Sequence, residues 1–377
     1  MDFQVTLIRD LNQLITGNYA VRYEQFVESL SGYHRLSYST QWLKIIAPLF
    51  IQRNDGIFFV LALLGQRIVA MAPFYLEQHG RGVFSFRQLH LWGKGNGYMD
   101  YPLASMISLE EYKEQSIECI VNSLKTSYQD DFDEINLTRV DPTDSFIQQL
   151  CSTFKVSANT DHGDQQHFFV NGQLIDDKLK GENLRRIKKA AERLTQDFVE
   201  VEFSCQTTVD DSLLEEIRQL HIRRQKDVMN EGRSRISIFE DPVECEVTNS
   251  LFNFNQSINA MRTYTLRLDG RLAGFWVCFH YNGYTQAYLT AFIPVPEHKY
   301  AAACLWRYMY KEEVERFGTQ TIDSGFGTHN LKRKFCNHLI DLRSFMLQNQ
   351  HSLLSRARQS MMYAMRQSRK IYRSMRR

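Results

Sequence analysis

The stretch DSGFGTHNLKRKF, Asp323–Phe335, gathers an acid, two glycines, a histidine and three bases in one short run. Three chemistries fit it. It can wrap a phosphate, form a reactive centre, or simply turn a strand into a basic helix. A carboxylate near a histidine invites proton transfer, and glycine lets backbone approach a ligand closely. A second glycine-rich run, GKGNG at 93–97, invites a dinucleotide reading. That reading fails on context, because the phosphate fingerprint needs a strand, a loop and then a helix, with a third glycine at fixed offset. Tyr98-Met99-Asp100-Tyr101-Pro102 follows instead, and Pro102 discourages an immediate helix. GKGNG therefore reads as a flexible loop over a cleft. DSGFGTHNLKRKF also lacks a nucleotide fingerprint, so its meaning depends on the elements that position it.

Those elements belong to a globular chain of 377 residues, 43% hydrophobic and 23% charged, long enough for two domains. The seven cysteines are scattered singly, with no C-x-x-C pair. Such spacing argues against a disulfide framework or a structural zinc site, and no metal site is expected. A reducing cytoplasm is the expected home. The N-terminus has acids and no long apolar core, so no secretory signal is expected. The longest apolar run, IFFVLALL at 57–64, is too short for a membrane span and reads as a buried strand.

Residues 20–50 read as helical from apolar spacing through Tyr23, Phe26, Val27 and Leu30, then Trp42, Leu43, Ile46 and Leu49. A hairpin is expected over 57–76, turning at Gly65-Gln66-Arg67, and a third strand over 83–93. Residues 108–128 read as an amphipathic helix opened by a Ser cap, and 132–140 as a strand. Further on, 167–171 reads as a strand and 174–195 as a basic helix with a break at Gly181. A strand over 198–206 and a long helix over 209–229 follow. The segment 263–293 gives three strands that turn at Asp269-Gly270 and Asn282-Gly283. A helix over 301–318 ends on Gly318, a natural left-handed terminator, before the short strand into Asp323. Both halves share this order, so the fold class is α/β (α+β), a duplicated fold. Each module is a mixed, mostly antiparallel sheet flanked by helices.

Four stretches carry a likeness to a known family: NLRRIKKAAERL (183–194), LHIRRQ (220–225), LRLDGRLAGFWVCF (266–279) and DSGFGTHNLKRKF. Residues 178–336 resemble the cellulose-biosynthesis-type acetyltransferases of the GNAT superfamily, close to the FemAB-like peptidyltransferases of peptidoglycan bridges. The family pattern in the last stretch fits Asp323, Gly325, Gly327, Lys332 and Phe335, with Leu331 where tyrosine is usual. The likeness implies two tandem GNAT-like modules, at 1–165 and 166–345, with a basic C-terminal helix at 346–377. It also implies an acyl-CoA or an activated aminoacyl donor. In GNAT enzymes backbone N–H groups at the start of the helix after the third strand cradle the donor pyrophosphate. That place is HKYAAAC (298–304), where a glycine is missing. Lys299, Tyr300, Ala301 and Ala302 are then the expected donor-binding residues, Lys299 adding charge.

Acyl transfer to an amine asks for positioning, proton removal and oxyanion stabilisation. Asp323 is the expected general base or amine anchor, against the alternative of a turn cap or a partner for Arg333. His329 is a proton shuttle or a solvated loop residue. Tyr300 protonates the departing thiolate or packs at a helix start. Arg223 and Arg224, Gly325, Gly327 and Lys332 are the expected acceptor-site residues, with a plain charged helix face or surface lysine as the alternative. Trp276 and Tyr288 read as core.

Residues 351–377 hold eight of the 45 Lys and Arg and none of the 43 Asp and Glu. Apolar residues Leu354, Ala357, Met361, Ala364, Ile371 and Met375 fall at helical steps. Such a helix can lie on an anionic membrane surface or contact tRNA; a frayed, solvated end is the alternative. The expected function is N-acyl transfer from acetyl-CoA or another acyl-CoA. The acceptor would be a small-molecule or glycan amine, such as an amino sugar or polysaccharide precursor of the cell envelope. The location would be cytoplasmic or peripheral to the inner membrane. The alternatives are an aminoacyl-tRNA-dependent transferase and a non-catalytic adaptor of polysaccharide assembly.

Overall fold

A computed structural model describes residues 3–51, 56–80, 85–93, 105–170, 174–230, 236–293, 301–327, 330–355 and 357. The chain opens with β1 (Phe3–Ile8) and helices α1 (Leu11–Ile15), α2 (Ala20–Ser29), α3 (Gly32–Ser37), α4 (Thr40–Ile46) and α5 (Pro48–Ile51). The helical reading of 20–50 thus holds in broken form. Gly32 at φ 58° and the Ser39 cap, whose Oγ accepts from Trp42 N, interrupt it. Next come β2 (Gly56–Leu64), β3 (Arg67–His79), β4 (Phe86–Leu91), β5 (Ile107–Ser108), α6 (Lys113–Thr126), β6 (Glu134–Val140), α7 (Ser145–Thr153) and β7 (Lys155–Val170). The expected Ser cap at 108 is absent, because Ser108 sits in β5 and a 3₁₀ turn, Glu110–Tyr112, leads into α6.

The remainder is α8 (Ile175–Leu179), α9 (Gly181–Asp197), β8 (Val201–Gln206), α10 (Asp211–Asn230), α11 (Pro242–Ser257), β9 (Met261–Leu268), β10 (Arg271–Tyr281), β11 (Tyr284–Phe292), α12 (Ala301–Lys311), β12 (Thr321–Gly327), α13 (Asn330–Phe335) and β13 (His338–Gln348). The break at Gly181 is present between α8 and α9, with Gly181 at φ 63°. Both short turns have positive φ at each central residue: 48° and 74° at Asp269-Gly270, 46° and 76° at Asn282-Gly283. This is the two-residue hairpin geometry that matches strand twist. α12 runs on through a π-helical turn, Glu312–Arg316, to Gly318 at φ 65°.

Two compact units result, and neither is one consecutive stretch. The first is Met1–Leu30, Leu49–Asp164 and Asp341–Arg377; the second is Ser31–Pro48 and Gln165–Ile340. α3 and α4 join the second unit because Trp42 packs edge-on to Phe279, with ring centroids 5.6 Å apart, and against Phe254. β13 carries the chain back to the first unit, pairing antiparallel with β6 over Arg343–Gln348.

The strand order is β1-β2-β3-β4-β6-β13 in the first unit and β8-β9-β10-β11-β12-β7 in the second. The two agree position for position. In each, three antiparallel pairings lead to one parallel pairing, β4 with β6 or β11 with β12, and a final antiparallel one. A parallel pair needs a crossover, and α6 and α12 supply it. The duplication expected from sequence is therefore present in topology.

In the second unit, Ile187 and Leu194 of α9, Leu305, Trp306, Met309 and Tyr310 of α12, and Trp276 and Cys278 of β10 form one apolar cluster. Trp276 is core, as expected. Gly274 of β10 pairs with Phe292, whose ring lies where a side chain would stand; a Cβ at Gly274 would meet Phe292 Cδ1 at 2.5 Å. Gly274→Ala is expected to destabilise the protein by about 1–3 kcal/mol through overpacking, read as a lower urea midpoint at unchanged m.

Candidate functional site

The parallel pair β11–β12 makes the site. Its register runs Tyr284↔Thr321, Thr285↔Ile322 and Gln286↔Asp323, and stops there. Both strands continue, β11 to Phe292 and β12 to Gly327. They therefore splay apart just past Gln286 and Asp323, which frees backbone groups along the inner edge of β11 for a ligand. On its other side β12 pairs with β7, and the register shifts between Asp323 and Phe326, where Gly325 adopts φ 73°.

Asp323 stands at this branch point and is fully buried. Gln166 Nε2 donates to its Oδ1 at 2.6 Å, Gly325 N donates to Oδ1 at 2.8 Å, and Tyr284 OH donates to Oδ2 at 2.9 Å. Burial pushes the carboxyl pKa up; these three donors and the nearby Lys332 charge oppose the shift. The bond to Gly325 N is the turn cap foreseen as the alternative role for Asp323, and the left-handed Gly325 makes it possible. Cap and acid are thus one residue. Tyr284 and Gly325 are the partly exposed members of the group. Burial, then Asp323, raises the Tyr284 phenol well above the ordinary range, which keeps it a proton donor. Tyr33 from α3 packs its ring 5.3 Å from that of Tyr284 and donates its OH to Gln286 Oε1.

Lys332, on α13, donates to Phe326 O at 2.8 Å and lies 3.6 Å from the position a Cβ on Gly325 would take. It is thereby brought to the same loop as Asp323, Gly325 and Gly327. Beside them on β7 is His167, fully buried and next to the backbone of Gly325 and Gln165. Burial, then the Lys332 charge, lowers its pKa, opposed by the backbone groups of Gly325 and Gln165. Arg223 is exposed and Arg224 half-exposed on α10. Ala301 and Ala302 open α12, whose first-turn N–H groups have no partner within the helix. Ala301 is buried in the apolar cluster, so its methyl points inward, and Ala302 is half-exposed. That first turn suits a donor phosphate in charge, with alanine replacing the closer approach glycine would give. Lys299, Tyr300 and His329 lie outside the described residues, as do Lys94–Gly97 of the GKGNG run and residues 356 and 358–377 of the basic tail.

Sequence reasoning missed Gln166, Tyr284, Tyr33 and Gln286. Asp323 and Gln166 are 157 residues apart, and Tyr33 and Gln286 are 253 apart. Only Tyr284 left a signal, as the first residue after the Asn282-Gly283 turn. A separate groove of about 680 Å³ lies between α9 and α12, lined by Lys188, Glu192, Arg307, Lys311 and Arg316 among others. None of its lining residues belongs to the Asp323 group.

Residues 182–333 match the family described as an acetyltransferase (GNAT) domain. Among solved structures, FemX is similar at TM-score 0.58 and 10% identity, covering 93% of this chain and 98% of that one. The C-terminal domain of a protein described as a lysylphosphatidylglycerol synthetase, from Agrobacterium fabrum, is similar at TM-score 0.50 and 12% identity, covering 91% and 96%. A tandem GNAT protein of the clavulanic acid pathway gives TM-score 0.45 at 12% identity, covering 93% and 100%. No curated protein matches the chain at a significant level. The matched domain and the twice-repeated sheet define an acyltransferase on two GNAT-like modules. Its second unit carries the GNAT domain, and its first repeats the strand order without being matched. Among the described residues no helix is long and apolar enough to cross a membrane.

Proposed function

We propose that the chain moves an acyl group from an acyl-CoA, acetyl-CoA foremost, onto an amine acceptor such as an amino sugar or polysaccharide precursor. The observation that carries this reading is the place of Asp323: a buried, hydrogen-bonded carboxyl at the point where two parallel strands part. The acceptor enters as an ammonium and must lose a proton before its lone pair can attack. Tyr284 accepts that proton from the amine while passing its own to Asp323, so the carboxyl need not touch the acceptor. The amine nitrogen then bonds to the acyl carbon, the carbon–sulfur bond breaks, and the departing thiolate takes up the nitrogen's second proton. Oxyanion charge falls to the backbone N–H groups exposed where β11 and β12 splay. Lys332, Gly325 and Gly327 shape the acceptor side, and the first turn of α12 the donor side, for which the sequence also nominates Lys299 and Tyr300. The narrower likeness to the cellulose-biosynthesis type rests on the sequence motifs alone.

Calorimetry of the full chain with acetyl-CoA is expected to show saturable binding near one equivalent. No heat at high donor concentration would overturn the CoA reading. The basic residues of 351–377 favour one other donor, an aminoacyl-tRNA. The name of the lysylphosphatidylglycerol synthetase, similar in fold, refers to an aminoacylated lipid. That reading requires tRNA binding which weakens steeply with salt and disappears when 351–377 is removed.

A further inference from the structure

The first unit repeats the branch point of the second with different residues. β4 and β6 run parallel and pair over Gln88↔Glu134, Leu89↔Ile135 and His90↔Asn136, then stop, as β11 and β12 do. His90 therefore stands where Gln286 stands, and Asn136 where Asp323 stands. An amide therefore replaces the carboxylate at that position. The sheet gathers something else beside it. Along β3 the strand period of two puts Tyr75, Glu77 and His79 on one face. The register Tyr75↔His90 brings His90 to that face.

His90 Nε2 lies 3.0 Å from Glu77 Oε2, and His79 Nε2 lies 3.4 Å from the same oxygen. One donor atom from each residue lies within 4.8 Å of the other two. Ligand atoms held about 2.0–2.1 Å from a tetrahedral ion stand roughly 3.4 Å apart, so the two distances to Glu77 already suit one. The His90 side chain is only 8% exposed. Its Nε2, off hydrogen-bond geometry to Glu77, has no hydrogen-bond partner among the described residues. A buried ring nitrogen without a hydrogen bond, set beside a carboxylate, is costly, and a cation between the two satisfies both. The ring is fixed by stacking on Tyr75, with centroids 4.9 Å apart and planes at 14°. The His79 and Glu77 side chains, 46% and 36% exposed, leave a way in from solvent.

We propose that Glu77, His79 and His90 bind one divalent ion of the zinc class. Two imidazoles and a carboxylate suit Zn²⁺, Co²⁺, Ni²⁺ or Cu²⁺; Mg²⁺ and Ca²⁺ demand oxygen ligands throughout. Three protein ligands leave a fourth position for water or an incoming anion. The ion ties the end of β3 to β4 at the branch point of the first unit. No motif announces the site in sequence, because its ligands come from two strands. It stands independently of the acyl-transfer reading.

The test uses the full chain, stripped with EDTA and titrated with Co²⁺ as the probe. The expected result is one equivalent bound, with visible d–d bands and no thiolate charge-transfer band. That last point matters because all seven cysteines are free thiols. Zn²⁺ should displace the probe. His79→Ala and Glu77→Gln, both at solvent-reached positions, should each weaken binding at least about tenfold, the least that outer-shell losses cost. Asp323→Asn should leave it unchanged. No stoichiometric uptake, a thiolate band, or wild-type affinity in both variants would overturn the site.

Discussion

Asp323→Asn is expected to lower kcat by about 10²–10⁴-fold, the range a lost general base commonly gives, while the protein stays folded. In barrier terms this is about 2.7–5.5 kcal/mol. The asparagine keeps the shape of the carboxyl, and its oxygen can still accept from Gly325 N and Gln166. Its amide cannot take the proton that Tyr284 passes on. Steady-state kinetics with a saturating donor, alongside a thermal melt, separates lost chemistry from lost fold. A variant that turns over at the wild-type rate would remove Asp323 from the mechanism.

The same residue gives the pH dependence. The carboxyl must be ionised to act, and burial raises its pKa above the ordinary 3.8. The acidic limb of kcat/KM should therefore lie above the ordinary carboxylate range and vanish in the asparagine variant. Stability carries the matching signature. Between 3.8 and the raised value the native state holds a proton that the unfolded chain has released. The stabilisation is thus complete below 3.8 and is lost as pH rises through the folded pKa. Asparagine at this position should flatten that slope.

The sequence was most readable where local chemistry decides structure. Asp269-Gly270 and Asn282-Gly283 announce β9, β10 and β11, because few residues other than glycine, asparagine and aspartate tolerate positive φ at those points. Gly181 and Gly318 likewise punctuate helices. β7 was readable only at its end: HFFV is apolar, but KVSANTDHGDQQ is polar and mostly exposed, so neither alternation nor β propensity marks it. α11 went unread although Asp241 caps it, with Pro242 in its first turn, because its apolar residues follow no clean stripe. Asp323 was legible as an acid before a glycine turn. Its surroundings were not, since Tyr33 and Gln166 reach it only through tertiary packing. The first-unit site was hidden for the same reason: Glu77 and His79 share a strand face, but only the register with β4 adds His90.

Glu313→Ala is expected to cost about 3–5 kcal/mol of stability, the usual loss when one partner of a buried ion pair is removed. Glu313 is fully buried in the π-helical turn that ends α12. Its Oε1 accepts from Tyr264 OH at 2.6 Å. Its Oε2 accepts from Arg262 Nη1 at 2.6 Å, from Thr285 Oγ1 at 2.8 Å, and from Thr319 Oγ1. Truncation strands the Arg262 guanidinium, which is 9% exposed and lies over the uncharged Phe317 ring, 3.7 Å away. Three hydroxyls lose their acceptor as well. Against the 5–15 kcal/mol that holds a typical domain together, this is a large share. Arg262→Ala/Glu313→Ala should cost less than the sum of its single variants, because no uncompensated charge remains. Denaturant melts of the four proteins give that coupling directly; strict additivity would mean that the pair does not act as a unit. Thr285 sits between Tyr284 and Gln286 on β11, so Glu313 also fixes the strand that carries the proton path. A sublethal change such as Thr285→Val should therefore lower kcat more than it raises KM, as expected when a side chain positions the chemistry without binding the donor.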